Sequence, residues 1–180
     1  MRAPTAVPAP LLVRIDAVDL PGRTFTHHAP HPSDGGPARL ENVHVAVQRR
    51  DRPAELLGLH PGDAPSASWT LECTVTSTGT GPDVTGRYVQ GRPGDRFVYL
   101  SWGALDARGT FTMFRRAKLL LAAVPAAVLD EAARGGLLVG RLGLTDEHGG
   151  PRCARVVPPA VRWSAYDGRT GEELRSGDRN

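Results

Sequence analysis

The chain has 180 residues, 40% of them hydrophobic and 23% charged, with a formal net charge of +3: the balance of a soluble globular protein able to bury roughly 70% of its unfolded surface in one core. No run approaches the ~20 apolar residues of a membrane helix, and Cys73 and Cys153, far apart and without CxxC spacing, build neither a disulfide framework nor a zinc site. Of the 22 basic residues Lys118 is the one lysine, and the arginines are spread, with small clusters at Arg49-Arg50-Arg52 and Arg115-Arg116-Lys118; nucleic-acid binders concentrate such residues on one face, so nucleic acid is not the expected partner.

Residues 1–10, MRAPTAVPAP, are interrupted by proline too often to form a signal-peptide core and read as a disordered leader, with the cytoplasm as the default compartment. Period-2 patterns then dominate. Val13, Ile15 and Ala17 alternate with Arg14 and Asp16, and Val43, Val45 and Val47 with His44, Ala46 and Gln48. In SWTLECTVT, Trp69, Leu71, Cys73 and Val75 face one way and serine, threonine and Glu72 the other. Such alternation marks strands with one buried and one wet face, and it makes Cys73 a small buried hydrophobe.

Six of the ten aromatic residues lie between Tyr88 and Phe114. Arg92-Pro93-Gly94-Asp95 has the proline–glycine centre of a type II turn, which would fold Phe97–Trp102 back on Val84–Gln90. Phe97 and Tyr99 alternate with Val98, Leu100 and Trp102, so both faces are apolar and the strand is central or sandwiched. At 100° per residue Met113, Phe114, Ala117, Leu120, Leu121 and Val124 share one stripe, with Arg115, Arg116 and Lys118 outside it; the pattern predicts a helix capped by Thr112 and broken at Pro125. A second helix, Ala126–Arg134, stops at Gly135-Gly136. A hairpin across Asp146–Gly150 follows, then an edge strand with Val161 and Trp163. The polar tail 167–180 has one aliphatic residue, Leu174, and is expected to be disordered.

The sum is a single α+β domain over residues 11–166: eight strands, mainly antiparallel, in a sandwich or partly open barrel, with one α-helical hairpin covering a sheet face.

The local signatures of catalysis are missing. Lys118 follows Ala117 rather than glycine and is no P-loop lysine, and Ser101 in LSWG lacks the glycines of a nucleophile elbow. Three sets of residues have chemistry to offer. His27, His28 and His31 in TFTHHAPHPSDGGP, with His44 nearby in sequence and Asp34 as an acid, are the types that bind zinc, copper or nickel; against this, neighbouring side chains point apart in an extended chain. His60-Pro61-Gly62-Asp63-Ala64-Pro65-Ser66 combines imidazole, carboxylate and hydroxyl, in a context that favours a structural turn. Arg115, Arg116 and Lys118 are suited to phosphate or carboxylate, and Arg87, Arg92 and Arg96 flank the turn that could bring them to the same patch.

The blocks VDLPGR (18–23), NVHVAVQRR (42–50), PGDAPSASWTLECTV (61–75), YVQGRPGDRFVYLSWG (88–103), FTMFRRAKLLL (111–121) and LVGRLGLTD (138–146) together resemble an uncharacterised family of small bacterial cytoplasmic proteins, known only as a domain of unknown function. The resemblance spans nearly all of residues 11–166 and transfers no site residue. The expected function is a small non-catalytic cytoplasmic module without a cofactor, binding a small anionic molecule or a protein partner, with Arg92, Arg96, Arg115, Arg116 and Lys118 as the anion-binding candidates. The alternative is a metal-dependent enzyme on the His27/His28/His31 loop, with His27, His31 and His44 as candidate ligands. Oligomeric state is open, since Trp102, Trp163 or Tyr166 could seal a dimer as readily as fill a core.

Overall fold

The computed structural model describes residues 7–18, 26–27, 38–39, 43–49, 55–61, 66–143 and 159–177. Twelve strands lie among them: β1 (Ala9–Val18), β2 (Thr26–His27), β3 (Ala38–Arg39), β4 (Val43–Gln48), β5 (Leu56–Pro61), β6 (Ser66–Thr78), β7 (Gly81–Gly86), β8 (Phe97–Leu105), β9 (Phe111–Leu120), β10 (Gly136–Gly143), β11 (Arg162–Asp167) and β12 (Glu173–Gly177), with one helix, α1 (Ala126–Gly135), between β9 and β10. A six-stranded sheet runs β12-β11-β10-β1-β6-β7, a four-stranded sheet runs β5-β4-β8-β9, and β2 pairs with β3 alone. Neither large sheet closes into a barrel. Pairing is antiparallel throughout except where β1 meets β10, so the six-stranded sheet is mixed.

Alternation does what the sequence predicts in β1 and β6. β8 is buried on both faces from Phe97 to Ser101, as its pattern requires, whereas in β4 Ala46 and Gln48 of the expected wet face are buried along with Val45 and Val47. Val13, Ile15 and Ala17 are fully buried, and in β6 Trp69, Leu71, Cys73 and Val75 alternate with exposed neighbours. Val45 and Val47 of β4, Val98 and Leu100 of β8, and Ala117 and Leu119 of β9 form the inward face of the four-stranded sheet. They join the inward residues of the six-stranded sheet and Val128, Leu129 and Ala132 of α1 in one hydrophobic cluster. β8 lies inside its sheet, between β4 and β9, as its two apolar faces require.

The predicted helical hairpin does not form. Residues 111–120 are strand, and Thr112, expected as a helix cap, pairs with Ala104 of β8. The physical reason is tertiary. Beside β8 a helix would leave a buried strand edge with unpaired N–H and C=O groups, whereas β9 pairs with it from Leu105↔Phe111 to Phe97↔Leu120 and satisfies them. The strand alternation also buries Ala117 and Leu119 completely, and that packing outweighs the helical periodicity of the same residues. A single 3₁₀ turn, Leu121–Ala123, separates β9 from α1. The second predicted helix is α1, stopped by Gly136 at φ 86°.

Three further expectations change. The Arg92–Asp95 turn forms, with Gly94 at φ 84° and the Asp95 amide donating to the Arg92 carbonyl at 2.9 Å. It does not, however, lay Val84–Gln90 along β8: only Gln90 bridges Phe97, and Val84 pairs with Val75 of β6. β11 is no edge strand, because β12 pairs beyond it. The expected disordered tail from Asp167 is replaced by a turn and that strand. Its order comes from backbone rather than apolar side chains: the Asp167 carboxylate accepts from the Arg169 and Thr170 amides at 2.8 and 3.2 Å, and a methyl group at Gly177 would lie 2.8 Å from the Pro125 ring. Similarly, Ala9 and Pro10 of the expected leader belong to β1; residues 1–6 lie outside the described residues, as does the predicted hairpin turn at 146–150.

Gly140 of β10 pairs directly with Trp163 of β11, and the indole lies flat over the missing side chain: an added Cβ would stand 2.5 Å from Trp163 Cζ3. Because Trp163 is buried in the common core, Gly140→Ala is expected to lower stability by about 1–3 kcal/mol through overpacking, measured as a fall in the urea midpoint.

Candidate functional site

β9 places Arg116 opposite Ser101 and Lys118 opposite Tyr99, on the sheet face turned away from the common core. The Lys118 ammonium sits 4.0 Å above the Phe97 ring centroid, and the Arg116 guanidinium 4.6 Å above that of Tyr99. The two rings meet edge to face at 4.9 Å. Phe97 and Tyr99 are 5% and 9% exposed, so the cations lie on a desolvated aromatic bed, where such contacts are strongest. Beside it the Ser101 hydroxyl donates to Gln48 Oε1 at 2.5 Å, and Gln90 Nε2 donates to the Gln48 carbonyl at 3.3 Å, which satisfies the buried polar groups of this face.

Arg116 and Lys118, two positions apart on one strand face, are separated by about 7 Å. Among the described residues carboxylates pair with Arg14, Arg49, Arg87, Arg96, Arg134 and Arg169, but with neither of these. Two half-buried cations, each steadied by a ring and neither neutralised, can take one anion between them with little ordering of side chains.

The other arginines of the expected patch go elsewhere. Arg96 grips Asp83 of β7 through Nε and Nη2, each at 2.9 Å, and its Nη1 donates to the Gly91 carbonyl at 2.6 Å; its own carbonyl accepts the Leu121 amide at 2.9 Å. All three of its nitrogens are engaged within the protein. Arg92 is exposed on the turn. Arg87 pairs with Glu55, which also takes Arg49 at 3.5 Å. Arg115 stands opposite Trp102 on β9, and its side chain lies outside the described residues.

Of the histidines, His27 belongs to β2, opposite Ala38, while its side chain and all of His28 and His31 lie outside the described residues. His44 is half-buried on β4, opposite Gly103. No group of three metal-binding side chains assembles among the described residues. His60 lies edge-on to Trp69 at 5.2 Å; Gly62–Pro65 is outside the described residues and Ser66 opens β6. Burial pushes the Cys73 thiol up to about 12, far from a reactive thiolate at neutral pH.

A cleft of about 160 Å³ lies between β7, the Arg92–Asp95 turn and the start of α1, with Pro82, Val84, Leu121, Val124 and Leu129 in its walls. The Asp83–Arg96 pair that lines it is self-satisfied, so it offers apolar surface rather than a free charge. Sequence reasoning missed the roles of Phe97 and Tyr99 as supports for cations. The signal was present in the two-faced apolar pattern of β8 beside a basic segment, and it was hidden by the helical period of that segment. Asp83 had no local signal, since its partner is 13 residues away.

Among the described residues no helix is long and apolar enough to cross a membrane. A family of unknown function (DUF5990) matches residues 11–166. No curated protein and no solved structure matches the sequence.

The Asp83–Arg96 contact has a pH signature. Hydrogen bonding by Arg96, ahead of its charge and against the cost of burial, holds the Asp83 carboxyl below its ordinary 3.8. A depressed carboxyl stabilises the fold above the unfolded value, and that stability is lost as pH falls through the folded one. Acid unfolding is therefore expected to steepen below pH 3.8. Asp83→Asn is expected to lower stability at pH 7 by about 1–3 kcal/mol and to flatten the dependence in that acid range, as read by denaturant titrations at several pH values.

Proposed function

Because the chain belongs to DUF5990, a family of unknown function that brings no activity with it, we propose a role from its surface: a small non-catalytic binding module, cytoplasmic, that holds an anionic small molecule at Arg116 and Lys118. One observation carries this reading: two neighbouring cations, bedded on Tyr99 and Phe97, with no carboxylate partner among the described residues. An arginine fork and a lysine point charge complement each other on a phosphate or a polycarboxylate, and charge-assisted hydrogen bonds from both make the contact specific. The free, buried Cys73 agrees with a reducing compartment. The same reading takes the two sheets as layers of a sandwich, with the site on the outer surface of the thinner layer.

Isothermal titration at low salt with inorganic phosphate, citrate and a nucleoside triphosphate tests it. At least one of these is expected to bind saturably, near one per chain. Arg116→Ala and Lys118→Ala are each expected to weaken it about tenfold or more, at 1.5–3 kcal/mol for a lost charged hydrogen bond, without shifting the thermal midpoint by more than a few degrees. Unchanged affinity in the double variant, or conversion of the bound anion, would contradict the proposal.

A further inference from the structure

β9 ends the four-stranded sheet, and its hydrogen-bond register fixes what its free edge presents. Phe97 of β8 exchanges both main-chain hydrogen bonds with Gln90, at 2.9 and 3.0 Å, while the Arg96 carbonyl accepts the Leu121 amide at 2.9 Å. Main-chain groups alternate sides along a strand. Arg96, Val98 and Leu100 therefore turn theirs towards β9, and Phe97, Tyr99 and Ser101 turn theirs away from it. Leu119 meets Val98 and Ala117 meets Leu100, so these are the hydrogen-bonded pairs. Arg116, Lys118 and Leu120, opposite Ser101, Tyr99 and Phe97, aim their N–H and C=O groups at the outer edge, where no strand lies among the described residues.

An open edge of this kind is a template for an added strand, and its charge says which strand it admits. The residues with outward main-chain groups are the ones that carry the cations, Arg116 over Tyr99 and Lys118 over Phe97. The rings hold both on one sheet face, roughly 7 Å apart, so alternate residues of an incoming strand come to lie directly opposite them. Opposite charges in such cross-strand pairs stabilise a sheet and like charges destabilise it. A second copy of the same edge, laid antiparallel, would set Arg116 and Lys118 against their own kind, so the charge rejects that occupant. Between the two cations Ala117 turns into the core, and the position opposite it takes a small or apolar side chain.

We propose that β9 accepts an extended acidic segment of a partner protein as a further antiparallel strand. Carboxylate side chains at two alternate positions sit over Arg116 and Lys118, and the same two residues exchange main-chain hydrogen bonds with them. This rests on the reading of Arg116 and Lys118 as an anion site and names the class of partner that brings the anions. Charge alone would hold a carboxylate with little regard to its place in a chain. The ladder fixes direction and spacing. A segment with its acids at consecutive positions is rejected, because neighbouring side chains of an extended strand point to opposite faces.

The test uses the full chain and the end-blocked peptide TVETEVT. Isothermal titration is expected to show saturable binding, near one peptide per chain. Amide hydrogen exchange should respond with a period of two: the Arg116 and Lys118 amides, open in the free protein, slow by about tenfold or more on saturation, whereas those of Ala117 and Leu119, already bonded to β8, do not change. Methylating the two glutamate nitrogens keeps the charge and removes the ladder donors, and is expected to weaken binding about tenfold. Moving the acids to neighbouring positions, in TVEETVT, should do the same; neither change touches the protein. The Arg116→Glu/Lys118→Glu variant should lose TVETEVT and take up TVKTKVT. Phosphate or citrate binding without TVETEVT overturns the added strand and leaves the anion site standing. TVETEVT binding without those anions supports the strand and ends the small-molecule reading. Equal affinity for the methylated peptide, uniform protection across 116–120, or slow Arg116 and Lys118 amides in the free chain, by pairing with a second copy or otherwise, would overturn the proposal.

Discussion

One hydrophobic cluster, shared by both large sheets and α1, sets most of what the described residues present to solvent. Val13, Ile15, Leu71, Trp69 and Leu138 of the six-stranded sheet belong to it together with Val45, Val47, Val98, Leu100 and Leu119 of the four-stranded sheet, all at 2% exposure or less. At roughly 1.5–3 kcal/mol for each large apolar side chain removed from water, this core dominates every local preference of the backbone. Because side chains alternate strictly along a strand, each residue sent inward fixes its two neighbours outward. Arg116 and Lys118 lie side by side on the outer face because Ala117 and Leu119 are required inside. Arg141 and Arg162 share the outward face of the six-stranded sheet because Gly140 and Trp163 pair within the core.

Charge is then handled differently in different places. Where a guanidinium is drawn between elements, as Arg96 is towards β7, a carboxylate meets it with two hydrogen bonds and the pair serves the fold. The cations over Phe97 and Tyr99 have rings, and no carboxylate partner among the described residues. A ring stabilises a cation without neutralising it, so the charge remains available to a solute. Under the proposed function that distinction, rather than the number of arginines, separates structural from ligand-facing basic residues. The chain's modest net charge of +3 agrees with local sites rather than a broad basic surface.

Much of the fold was legible in the sequence wherever one period held alone. β6 is the clearest case: nine residues of strict alternation became nine residues of alternating burial. The Arg92–Asp95 turn and the glycine stop of α1 were equally plain, because proline and glycine constrain the backbone itself. The segment 111–120 was not legible, since Met113, Phe114, Ala117 and Leu120 satisfy a helical stripe while Ala117 and Leu119 satisfy a strand face. Only the neighbouring edge of β8 decides between the two. β12 escaped because its order rests on main-chain pairing and on the Asp167 turn, which an inventory of apolar side chains does not register. For the site, the residue types of Arg116 and Lys118 could be read directly; their bedding on β8 rings could not, once they had been placed on a helix. Asp83 depends on a partner distant along the chain, which composition and spacing do not report.

The dependence of the cationic face on the core can be measured at one place, the pairing of β8 with β9. In NMR spectra of the isotopically labelled chain, strand-type secondary shifts are predicted across Phe111–Leu120, with cross-strand contacts linking Tyr99 to Lys118 and Ser101 to Arg116. Helical shifts there, with contacts from Phe114 to Ala117 in place of the cross-strand set, would contradict the account and remove the basis for a paired Arg116–Lys118 site.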